Sequence, residues 1–331
     1  MKNLALYTLI IISIIILGAC NNKLDLIGES KETALVYGAL NKNESFFYIR
    51  LEKLFADENI SPVQLARDPN NFYFEDASVT LSTEGWSGTL TKVDATTLGF
   101  PRNSGIFADV PNYIYTIPTS QVSILPGKEY TLDIDAGGKS FASKTILIDT
   151  VAIYIPDLKK AFNIIPNKVT KLPEIFFDVH NRDAAPSIIS GYLTLNYQES
   201  TVSNPSFIDK SIEFPLFKNV PITEYQVSYS PEEFYKFLAS NLIIDPNIIR
   251  RSRSFDLKII TGGKEYILYN QSVAANAGIT STVDYPIYSN IDNGIGIFTS
   301  KNEQKYNLGI SQNTRDSLKG SRFTDKLGFQ N

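Results

Sequence analysis

One cysteine, one histidine, one tryptophan and one methionine are all that 331 residues contain of those four types. A lone thiol cannot close an intrachain disulfide, so packing must hold the fold without staples. With His180 as the only imidazole, any Ser-His-Asp or Cys-His catalytic site would have to be built on it, and zinc lacks nitrogen and sulfur ligands. No motif implies a cofactor. Charge is nearly balanced, 31 basic residues against 35 acidic, with a net charge of -4. That balance gives no electrostatic reason to bind nucleic acid. Long apolar runs are missing as well, with one exception.

The exception is Leu4 to Leu17, preceded by Met1-Lys2 and closed by Leu17-Gly18-Ala19-Cys20. A positive start, a short apolar run and small residues make a secretory signal peptide. The run is shorter than the roughly 18 residues a transmembrane helix needs. Its last four residues resemble the lipobox of bacterial lipoproteins. That resemblance implies removal of residues 1–19, lipid on Cys20 and attachment to a membrane by several acyl chains, where one chain alone binds marginally. An ordinary signal peptide with a chance cysteine is the plainer reading. Asn21, where aspartate would signal inner-membrane retention, favours the outer membrane, with its periplasmic or surface face undecided. Residues 20–32 are polar and aperiodic and read as a tether.

Tyr and Phe number 38 together, and with abundant Ile and Thr they favour strands. Ala34–Leu40 is an apolar run, and period-two alternation predicts strands over Ser45–Leu54 (Phe47, Ile49 and Leu51 on one face), Ala77–Ser82, Trp86–Val93, Tyr113–Ile117 and Glu129–Asp135. Gly137-Gly138 supplies a hairpin turn. Thr145–Ile155 reads as a further strand. In the second half strands are expected at Ile175–Val179, Tyr192–Tyr197, Ser211–Phe217, Phe255–Ile260 and Tyr266–Gln271. Helices are expected at Pro62–Arg67, at Pro231–Asn241 behind the capping box Ser230-Pro231-Glu232-Glu233, and as a turn at Thr314–Lys319. The fold class that follows is mainly β: two antiparallel β-sandwich domains (immunoglobulin- or fibronectin III-like) with a few short helices, over 33–150 and 151–331. Tyr130-x-Leu132-x-Ile134-x-x-Gly137-Gly138-Lys139 aligns with Phe255-x-Leu257-x-Ile259-x-x-Gly262-Gly263-Lys264, either as a short internal repeat or as two hairpins of similar turn chemistry.

Candidate chemistry is sparse. His180 sits among Asp178, Asn181, Arg182 and Asp183, where a polar turn is expected anyway. Asp133 and Asp135 could form the carboxylate pair of a glycoside hydrolase, or be two solvated side chains of one strand. The same stretch fails as a calcium loop, with glycine at the third ligand position and Lys144 where the closing glutamate belongs. Arg250, Arg251 and Arg253 are the one basic cluster and read as a solvated loop, or as a patch for a phosphate or acidic partner. Phe46, Tyr48 and Tyr269 read as exposed aromatics that could stack on sugars or pack a partner. Asp149-Thr150-Val151 and Asp316-Ser317-Leu318 resemble sites at which Bacteroidetes-type bacteria attach O-glycans, through Thr150 and Ser317.

The lipobox ending at Cys20, Val36-Tyr37-Gly38-Ala39-Leu40-Asn41, Pro126-Gly127-Lys128-Glu129-Tyr130-Thr131-Leu132 and Asn290-Ile291-Asp292-Asn293-Gly294-Ile295-Gly296-Ile297-Phe298 together resemble an uncharacterised family of Bacteroidetes-type outer-membrane lipoproteins of β-sandwich domains. The resemblance implies no enzyme and no cofactor, and an accessory place beside outer-membrane receptors or transporters. The glycines of the last segment suggest backbone packed tightly on the core. The expected role is a non-catalytic binding or accessory module at the envelope. A structural or adhesion lipoprotein and a carboxylate-based hydrolase are the alternatives.

Overall fold

The computed structural model describes residues 33–54, 61–106, 108–154, 161–166, 172–276 and 287–330. The signal segment, Cys20, the tether and Ile155 lie outside them. The described strands are β1 (Thr33–Leu40), β2 (Phe46–Leu54), β3 (Ser78–Thr83), β4 (Trp86–Thr89), β5 (Thr91–Asp94), β6 (Tyr113–Pro118), β7 (Glu129–Ala136) and β8 (Lys139–Ile146). In the second half come β9 (Ala152–Tyr154), β10 (Glu174–Asp178), β11 (Ile188–Thr201), β12 (Asn204–Pro221), β13 (Gln226–Ser228), β14 (Ile248–Gly262), β15 (Ile295–Leu308) and β16 (Phe329–Gln330). The α-helices are α1 (Pro62–Leu65), α2 (Pro231–Asn241), α3 (Lys264–Asn276) and α4 (Gln312–Gly320). The protein is mainly β, with mixed sheets and few short helices. No helix of the described residues is long and apolar enough to cross a membrane.

The largest sheet runs β12-β11-β14-β15-β1-β2-β6-β5, and a second runs β4-β3-β7-β8. Both follow the alternation expected. In β2, Phe47, Ile49 and Leu51 are buried, while Phe46, Tyr48 and Arg50 turn away from them. Inward side chains of the two sheets, among them Val36, Phe47, Ile49, Val79, Leu132 and Phe141, form one core. That core takes its members from 34–147 and adds Ile291 and Phe298 from near the end of the chain. A second core draws on Val151 through Phe329. Its aromatics meet edge to face, with Phe234 5.8 Å from Phe255 and 5.6 Å from Phe214, contacts that add about 0.5–1.5 kcal/mol each beyond burial. Helix α2 presents Phe234, Tyr235 and Leu238 to it, and the Ser230 hydroxyl accepts the Glu233 N–H at 3.4 Å as the capping box predicts.

Strand β15 joins the two cores. Its first half pairs with β1 and its second half with β14. The β1–β15 pairing is parallel, as is β14–β16, whereas antiparallel pairing throughout was expected. No hairpin links these strands, so no turn dictates their direction. At the junction Gly296 has φ +125°, and a Cβ there would lie 1.9 Å from the Val36 carbonyl oxygen. Only glycine fits such an approach. Asn290 clamps the same strand, accepting from the Phe298 N–H (2.9 Å) and donating to its carbonyl (2.7 Å).

Several local expectations are corrected. Tyr266–Gln271 is helical, within α3. Gly262-Gly263 ends β14, and Tyr266, Tyr269 and Val273 then recur at helical spacing. Trp86–Val93 is two strands in different sheets, because Leu90 turns into the core between them and its N–H bonds the Val79 carbonyl. Thr145–Ile155 breaks after Ile146. The N–H groups of Leu147, Ile148 and Asp149 go to Lys128, to the Ser300 hydroxyl and to Ala184 instead of a ladder. Arg250 to Arg253 is strand, not loop, inside β14.

Candidate recognition cleft

The outer face of the large sheet carries an open cleft of about 630 Å³. Tyr37 of β1, Phe46 and Tyr48 of β2, Phe100, and Tyr266 and Tyr269 of α3 line it. The floor is the face opposite the first core, where Tyr37 stands beside Arg50 on one side and Ile297 on the other. These are the positions that alternation puts outward when Val36, Phe47, Ile49 and Phe298 point inward. Helix α3 makes one wall. Its first turn is fixed by Glu265, buried to 4 % exposure, which accepts from the Thr145 and Thr299 hydroxyls at 3.1 and 3.3 Å.

Phe100 forms the opposite wall and packs edge-on against Tyr48 at 6.0 Å. Gly99, at φ +84°, lets the chain turn into it. A chain of hydrogen bonds then ties this wall to the floor. Asn112, buried, donates to the Phe100 carbonyl at 2.9 Å and accepts from Arg50 Nη1 at 2.8 Å, and Arg50 also reaches Glu52 at 3.0 Å. Arg102 pairs with the same Glu52 and donates to the Tyr73 hydroxyl. Both walls are therefore held by polar contacts that run from cleft-lining Arg50 and Thr299 to Asn112, Glu52 and Glu265 behind them.

The polar groups inside are few and of both kinds. The Tyr37 phenol lies beside Tyr269, and burial first, then that neighbouring phenol, pushes its pKa up to about 12. Tyr48 is also raised, by burial and then by the charge of Glu44. Glu44 and Lys301 line the cleft, and neither makes an ion pair among the described residues. Acceptors, donors and phenols thus border one aromatic surface.

Of the residues singled out from sequence, Phe46, Tyr48 and Tyr269 come together here. Tyr37, Phe100 and Tyr266 were missed; Phe46 and Tyr48 share the polar face of β2 with Arg50 and Glu52, which was the readable signal, whereas Tyr37 lies in an apolar run that offers none. Cys20 lies outside the described residues. Thr150 is half-buried between the cores, with its N–H and hydroxyl turned to Asp149. Burial pushes the Asp149 carboxyl up, but Lys42 and the Thr150 N–H together hold it below its ordinary value. Ser317 is half-buried on α4.

His180 is exposed, with Nδ1 3.3 Å from Asp178. Asp133 and Asp135 project side by side from β7, exposed, into a shallow depression with Ser140, Asp292 and Asn293. The three arginines part company. Arg250 is 1 % exposed, ion-paired with Glu199 at 2.9 Å and donating to the carbonyls of Ile243 and Leu327. Arg251 lies over the Phe207 ring at 4.2 Å, and Arg253 borders a separate pocket with Asp209 and Lys210.

No protein-family model matches this chain, and no curated protein does either.

Proposed function

We propose that the protein is a non-catalytic binding module, held at the outer membrane by lipid on Cys20, whose recognition surface is the aromatic cleft. The observation that carries this reading is the cleft: six aromatic side chains from three separated parts of the chain, on walls braced from behind. Such pre-organisation favours binding because less side-chain freedom is lost when a ligand arrives. The lipobox-like segment supports an envelope location, and an accessory place beside an outer-membrane receptor or transporter is the associated role. We read the two cores as two sandwich-like units, with the first carrying the cleft.

Two experiments test this. Cys20→Ser should release the protein from the membrane fraction and abolish incorporation of labelled palmitate. Unchanged membrane association would remove the lipid anchor from the reading. Affinity recovery from detergent-solubilised membranes should retrieve an envelope receptor with the parent chain and lose it with Tyr48→Ala. Equal recovery by both would remove the cleft.

A further inference from the structure

Resting on that reading, we infer that the cleft takes a carbohydrate, a short run of pyranose rings laid across Tyr48 and the Tyr37–Tyr269 pair. A pyranose offers a flat face of C–H groups and an edge of hydroxyls, each hydroxyl both donor and acceptor. The cleft offers the complement: aromatic faces for the first, and phenols, Glu44 and Lys301 for the second.

Other classes of ligand fit less well for stated reasons. A lipid chain would strip water from Glu44, Lys301 and the phenols and return no hydrogen bonds, which is costly for every polar group so buried. A phosphate-rich ligand would meet Glu44, while of the two cleft-lining cations Arg50 is ion-paired with Glu52 and Lys301 alone has no ion pair among the described residues. An extended peptide binds best by adding a strand to a sheet edge, but the floor is the face of a sheet. The backbone groups of β1 are spent on β2 and β15. Side chains alone would have to satisfy the peptide's main chain. The volume, about 630 Å³, is that of a small-molecule site, not of a macromolecular groove.

The test is a glycan array probed with the full chain in detergent, followed by calorimetry with cellohexaose, maltohexaose, xylohexaose and oligogalacturonate. At least one oligosaccharide should bind, Tyr48→Ala and Tyr269→Ala should each weaken it by about ten-fold or more, and Lys301→Gln should weaken it less. Asp133→Asn, in the separate depression on β7, should leave binding unchanged, and unaltered melting of the aromatic variants shows that they fold. Absence of any glycan binding, or binding untouched by both aromatic substitutions, overturns the carbohydrate assignment. If no glycan binds while Tyr48→Ala still abolishes recovery of a receptor, the assignment fails and the cleft reading stands. If a peptide panned on the parent chain is displaced by no sugar, the occupant is a peptide and the assignment likewise fails.

Discussion

Arg250 shows how little its neighbours in sequence say about a side chain. Three arginines within four positions look alike on paper, yet one is buried against Glu199 and two remain near solvent. Strand alternation separates Arg250 from Arg251, and the buried one is committed to structure. Arg250→Ala should cost about 3–5 kcal/mol, because it leaves Glu199 with Lys210 alone and two carbonyls without the donor that now serves them. Chemical denaturation would measure it, and a loss under 1 kcal/mol would contradict the account. Gly296→Ala should cost about 3 kcal/mol or more, since the added Cβ meets backbone that cannot retreat without parting β1 from β15. A well-folded Gly296→Ala variant of parent stability would show that the junction is looser than described.

Among the elements, α3 decides the cleft, and its position depends on one buried carboxylate. Glu265 has two threonine hydroxyls as donors and lies in the first turn of the helix, where the macrodipole favours negative charge. Glu265→Ala should destabilise the fold by about 1–3 kcal/mol, leaving Thr145 and Thr299 unpartnered in the interior. It should also weaken whatever the cleft binds, although Glu265 is not among the lining residues. Ligand affinity equal to that of the parent would show that α3 is seated by its aromatic face alone. Capping at α2 is a smaller matter: Ser230→Ala removes one acceptor at the helix start and should cost about 1 kcal/mol.

For the whole molecule, β15 and the acidic groups that brace the second core set the behaviour. One strand pairs into both cores, so heating should melt them in a single calorimetric transition. Two resolved transitions would mean that β15 can leave one core without disturbing the other. Burial pushes the Glu199 carboxyl up, but Lys210 and Arg250 hold it below its ordinary value, and Asp149 is held down in the same sense by Lys42 and Thr150. Stability from these groups is therefore complete above the usual carboxylate range and drains away as pH falls through their depressed values. Urea midpoints should drop between about pH 5 and pH 2, and less steeply in Glu199→Gln than in the parent.

Local chemistry was enough to determine most of the strands and the best helix. Period two placed Phe47, Ile49 and Leu51 inward, and Ser230-Pro231 with Glu233 marked the start of α2, because both depend on spacing within a few residues. The glycines around Ile295 likewise announced a close backbone approach. Tyr266 to Gln271 failed because its tyrosines and isoleucine favour strands, and only the end of β14 and the seat of Glu265 select the helix. Nor could spacing show that Tyr48 and Tyr269 share a wall and a floor. That required β15, from near the end of the chain, to lie parallel beside β1, and such a pairing rests on contacts between distant residues, which no local pattern encodes.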